Sequence, residues 1–194
     1  MIHPITASLR PTTTFLLAVS LISGSLWARQ QNPKQPPPPP KMGLMEMQRL
    51  NFYLGEWDYT EEYPKTALHP GGGRNTGVYT SKPGPGGMSL INTFHSQGPM
   101  GDFQGLLVMT WDLKEKAYKE YVFSDAFSGA VVETGDFEND TLVYRFEFPA
   151  GDQTVKMRNV TRIISADKLE SDQFSSIGGA PEKLVVHVVA IRRH

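Results

Sequence analysis

The stretch Leu50-Asn51-Phe52-Tyr53-Leu54-Gly55-Glu56-Trp57-Asp58-Tyr59 decides the fold, and Arg192 and Arg193 at the far end of the chain belong with it. Leu44, Met47, Leu50 and Leu54 recur at helical spacing, which predicts one short amphipathic helix over residues 43–53. From Gly55 the period changes to two. Trp57, Tyr59 and Tyr63 occupy odd positions, while Glu56, Asp58, Thr60 and Glu62 occupy even ones. That is a strand with an aromatic inner face and an acidic outer one, over residues 55–63.

Working outward, every later segment also reads as a strand. The runs are residues 76–81, 88–96, 103–111, 118–124, 130–137, 141–148, 154–164, 169–176 and 183–193. Pro70-Gly71-Gly72-Gly73, Pro83 to Gly87, Gly98 to Gly101, Asp112 to Lys116, Glu138-Asn139-Asp140 and Ala150-Gly151-Asp152 separate them as turns. About ten strands joined by short links, without crossover helices, form an antiparallel sheet. Closure removes the exposed edges, so the expected fold is all-β: a closed antiparallel up-and-down barrel plugged at one end by the short helix. A two-sheet sandwich is the alternative. Arg192, in the last strand, is placed to close over Trp57, with Gly55 at the turn between them.

Residues 1–28 read as an export signal. Arg10 supplies positive charge, Phe15 to Leu26 supply an apolar run, and Ala28 is a small residue at the cut. The run is short for a membrane span. Cleavage there leaves no integral membrane segment, an uncleaved N-terminal anchor is the alternative, and periplasmic or secreted localisation is the expectation. Residues 29–41 are polar and contain five consecutive prolines, Pro36 to Pro40. They read as a disordered, stiff spacer ahead of a barrel domain at residues 42–194. The chain of 194 residues carries 19 Lys and Arg against 20 Asp and Glu. No strong field of either sign results, so nucleic acid is not an expected partner. With no cysteine, disulfides, thiolate metal sites and a cysteine nucleophile are excluded.

Gly55-x-Trp57 after a short helix, with Arg192 in the last strand, resembles the calycin superfamily of lipocalins and fatty-acid-binding proteins. There a tryptophan sits at the closed end of the barrel under an arginine. A closer resemblance is carried by Leu54-Gly55-Glu56-Trp57, Gly77-Val78-Tyr79, Gly84 to Leu90, Gly98 to Phe103, Thr110-Trp111-Asp112 and Tyr118. This series is similar to a bacterial family called domain of unknown function fifteen seventy-nine, over about residues 44–193. The resemblance implies a calycin-like barrel and transfers no catalytic residue.

Inward positions nominate a ligand site. Tyr59, Tyr63, Met109, Tyr144, Met157 and Asn159 would line a mostly apolar interior with sparse polar groups, as small-molecule pockets do. The same residues would equally fill a solid barrel. Glu61 falls on the aromatic face of the first strand. It is either a polar contact in a cavity or a strand end in water at the barrel mouth, and the second reading is preferred. His95 enters the interior only if Ile91, Thr93 and His95 form the inner set of their strand. The last strand, Val186 to Arg193, resembles that of nitrobindin-type haem barrels, in which a histidine ligates iron, and this makes His187 a minor candidate. Tyr59 and Glu61 stand where those proteins carry glycine and would crowd a macrocycle. No His-x-His spacing supports zinc, no Gly-Lys-Ser/Thr ending supports a phosphate loop, and no nucleophile finds a base. No cofactor and no catalytic residue are expected. The favoured function is a barrel binding a small, largely apolar molecule. The alternative is a filled barrel serving as an interaction module, with Met100 and Phe127 exposed on its loops.

Overall fold

The computed structural model describes residues 41–194, so the expected signal at residues 1–28 and all but the last residue of the expected spacer lie outside the described residues. Ten strands close into one antiparallel barrel in simple sequence order: β1 (Gly55–Tyr63), β2 (Gly73–Pro83), β3 (Ser89–Gly98), β4 (Gly101–Asp112), β5 (Ala117–Ser124), β6 (Val131–Glu138), β7 (Thr141–Ala150), β8 (Gln153–Ser165), β9 (Lys168–Ile177) and β10 (Lys183–Arg192). β1 pairs with both β2 and β10, which completes the ring and leaves no free edge strand. The tight links are chemically prepared. Asp112 accepts the backbone N–H of both Lys114 and Glu115 at 2.8 Å, and Asn139 turns the β6–β7 hairpin at φ 58°. No helix among the described residues is long and apolar enough to cross a membrane.

The N-terminal segment differs from the single helix expected. It is one α-helical turn, α1 (Leu44–Gln48), followed by a 3₁₀ turn at Asn51–Tyr53. From Arg49 onward the N–H groups bond three residues back, as Leu50 does to Met47 at 3.0 Å and Tyr53 to Leu50 at 3.0 Å. Three-residue winding stacks Met47, Leu50 and Tyr53 in one row, and all three are buried in the barrel end. A continuous α-helix would rotate Tyr53 away from that row.

Trp57 is fully buried at this closed end. Its indole N–H donates to the Tyr53 carbonyl at 2.9 Å, and its ring stacks on Tyr79 at 5.7 Å. Arg192 lies directly opposite in the β1–β10 register and holds its guanidinium 4.1 Å from the Trp57 ring. The same guanidinium donates to the carbonyls of Phe52 (3.1 Å), Ala166 (3.0 Å) and Leu54. It thereby satisfies backbone groups that the entry turn and the β8–β9 connection leave free. Gly55 permits this twice over. Its φ is +112°, and a Cβ there would lie 2.7 Å from the Arg192 Nη1. Arg193 points the other way and pairs with Asp58 on the outer wall.

Trp57→Ala is expected to lower unfolding free energy by about 3–5 kcal/mol in a urea titration. Arg192→Ala is expected to lower it by about 2 kcal/mol or more, through its three carbonyl bonds. Arg193→Ala should cost less, because its partner is exposed. The reverse order would place the wrong arginine over the tryptophan.

Candidate functional site

The phase of the barrel follows from the closed end. Trp57, Tyr59 and Glu61 face inward with their partners Arg192, Ala190 and Val188, and the alternate residues face out. Toward the helix the interior is filled by Leu50, Trp57, Tyr79, Leu90, Met109, Tyr118, Leu142 and Leu169. Toward the other end it is hollow. A cavity of about 470 Å³ opens there, between the end of β1, the β3–β4 hairpin and the strands β5 to β7. Tyr63, Phe94, Phe103, Phe127 and Phe146 bring aromatic rings to its wall, and Val122 and Val131 add aliphatic surface. Tyr59 lies beneath it, across Gly77, where any Cβ would collide with the phenol.

Carboxylates are part of this wall. Glu61 is half-buried and accepts hydrogen bonds from Ser96 Oγ (2.6 Å) and Tyr63 OH (3.0 Å). It is therefore a bonded group inside the cavity, not the free strand end in water that the sequence suggested. Ser96 is in turn held by Asn75, whose amide N–H₂ also donates to the Gly101 carbonyl at 3.2 Å. Glu133 lines the cavity and is only 5 % exposed, and Asn159 donates to it at 2.6 Å. Glu120, 6 % exposed, is the direct cross-strand partner of Glu133 on the inner face. Burial raises both carboxyls: Glu133 to about 7, and Glu120 well above the usual range with the Glu133 charge adding to it. Tyr144, buried below them, crosses Gly135, where a Cβ would lie 2.6 Å from its ring.

The family model described as "Protein of unknown function (DUF1579)" matches residues 44–192. The chain belongs to that family. No functionally curated protein matches it. Among solved structures this DUF1579 barrel is similar to one titled "Crystal Structure of Rv2717c from M. tuberculosis", at 14 % identity and a TM-score of 0.57. That match covers 76 % of this chain and 97 % of the other, and it shows a shared fold. A de novo designed fluorescence-activating β-barrel also matches, at 12 % identity and a TM-score of 0.40, over 74 % of this chain and 95 % of the design.

The DUF1579 structure sorts the residues nominated from sequence. Glu61 and Tyr63 line the cavity, Tyr59 underlies it, and Asn159 reaches its wall through Glu133. Met157 pairs with the lining residue Phe146 but is not itself in the lining. Tyr144 and Met109 are buried in the filled part of the interior. His95 is corrected: Phe94 points inward, so His95 points out, its side chain 48 % exposed and 2.6 Å from Asp102. His187 is corrected likewise. It shares the outer face with Glu62 and lies 2.7 Å from Asp172, so it cannot ligate iron from inside the barrel. Haem does not fit the inner wall either, where Tyr59 and Glu61 project beside Trp57. Glu120, Glu133, His69 and Phe94 are site residues that sequence reasoning missed. The signal for the glutamates was their shared phase with Tyr118 and Phe137 on adjacent strands.

The raised carboxyls give folding a pH dependence with a definite sign. The folded protein holds protons that the unfolded chain has released above about pH 4.5, so their contribution to stability is complete below that point. The Glu133 share is lost as pH rises through about 7. Urea midpoints measured across this interval should fall with pH, and Glu133→Gln should flatten the decline. An unchanged slope in the variant would show that Glu133 does not titrate as described.

Proposed function

We propose that this barrel binds a small, largely apolar molecule in its open half and that it does so outside the cytoplasm. The single observation that supports binding is the cavity of about 470 Å³, walled by aromatic and aliphatic side chains with a few fixed polar groups. Its size suits one compact ligand, and the rigid ring of strands would keep it formed without a ligand. Tyr63 and Glu61 are already oriented by their mutual bond and by Ser96, so binding would order little that is not ordered beforehand. Export rests on residues 1–28, with Arg10, the apolar run and Ala28.

Native mass spectrometry of protein isolated from its own host tests the binding reading. A reproducible mass above that of the denatured chain is the expected result. Val122→Phe, which fills the cavity from β5 without touching a polar group, should abolish the extra mass while leaving the melting curve cooperative. A bare chain in both proteins would refute the reading. Fractionation of the same cells should find a chain beginning near Arg29 outside the cytoplasm; full-length cytoplasmic protein would refute export.

A further inference from the structure

The interior of this barrel separates charge in an unusual way. Glu61, Glu120 and Glu133 all face inward, yet none of them takes part in any ion pair among the described residues. The cations are placed elsewhere. Arg145, Arg158, Arg162 and Arg193 pair with carboxylates outside the cavity, and Arg192 is committed to Trp57 at the closed end. The cavity lining holds no lysine or arginine, and His69, edge-on to Tyr63 at its rim, is its one basic side chain.

A second observation is independent of these charges. The Tyr144 hydroxyl is buried, its residue 2 % exposed, with no hydrogen-bond partner among the described residues, and it lies within electrostatic reach of Glu120 and Glu133. The Asn159 carbonyl oxygen is also buried and unpartnered, although its amide nitrogen donates to Glu133. Buried polar groups are ordinarily paired, and here a hydroxyl, which both donates and accepts, and an amide oxygen, which accepts, are left unpaired near two carboxylates. An ammonium group is the complement: three donors, no acceptor and one positive charge. The surrounding rings of Tyr63, Phe94 and Phe146 present faces that also attract cations. A bare metal ion is a poor match, since no cluster of three His, Asp or Glu among the described residues is arranged to hold one.

We propose that the cavity takes an organic amine, its ammonium between Glu61 and Glu133 and its hydrocarbon body against the aromatic wall. This rests on the cavity being the ligand site and names the ligand's chemical class. Burial keeps Glu133 protonated up to about pH 7, and an arriving cation would favour the ionised carboxylate by replacing its proton.

Titration calorimetry of the full barrel domain at pH 8 with hexylamine, hexanol and hexanoate tests the assignment. Hexylamine should bind at least about tenfold more tightly than hexanol, and hexanoate not at all. Glu133→Gln and Glu61→Gln should each erase the preference for amine over alcohol while hexanol affinity stays, which a merely structural role would not produce. Two variants are used so that a folding defect in one, seen in its melting curve, leaves the other to decide. Equal or tighter hexanol binding that Val122→Phe removes would overturn the amine assignment and leave the cavity as a ligand site. No heat from any of the three, together with a bare native mass, would overturn both.

Discussion

The grip of Arg192 on Trp57 is the constraint on which the rest of this barrel depends. A ten-strand meander closes only if its first and last strands meet in register, and the residues that meet at the closed end are these two. The guanidinium covers an aromatic face, takes up carbonyls from the entry turn and lies where Gly55 has no side chain. Once this end is fixed, the alternation of every strand is fixed with it, because neighbouring strands share faces in register. The direction of His95 and of His187, and the inward position of three glutamates, follow from that one choice of phase.

A filled half and an open half thereby succeed one another along the barrel axis. The filled half, built on Leu50, Trp57, Tyr118 and Leu142, supplies the apolar burial that holds the fold. Where the two halves meet lie groups that oppose folding: the facing buried carboxyls of Glu120 and Glu133 and the unpartnered hydroxyl of Tyr144. Such groups persist where the surrounding structure is strong enough to tolerate them, which is the usual circumstance of a binding site.

Much of this was legible in the sequence, for reasons that vary by element. β1 has the bounds its alternation indicates, since Trp57 and Tyr59 on one side and Asp58 and Glu62 on the other leave one phase. The closure trio of Gly55, Trp57 and Arg192 was likewise readable. The entry helix was not read correctly, because Met47, Leu50 and Tyr53 at three-residue intervals satisfy both α and 3₁₀ patterns and only packing chooses. β3 and β10 carry apolar residues on both faces, so His95 and His187 had no readable direction until register supplied one. Glu120 and Glu133 were overlooked because a carboxylate in an alternating strand is ordinarily on the wet face.

Pairing of the first strand with the last also sets the order of events in biosynthesis. β1 is the first strand made, yet both the partner that covers its second edge and the arginine that covers its tryptophan belong to the tenth. Through nearly the whole of translation the chain carries an unpaired edge and an unsheltered indole, and the closing contact spans almost the entire domain. Contacts of such high order make folding slow and leave the nascent chain exposed to aggregation. A nascent barrel of this kind keeps an open edge until β10 has emerged, and a chain cut short of that strand is a sheet with two raw edges.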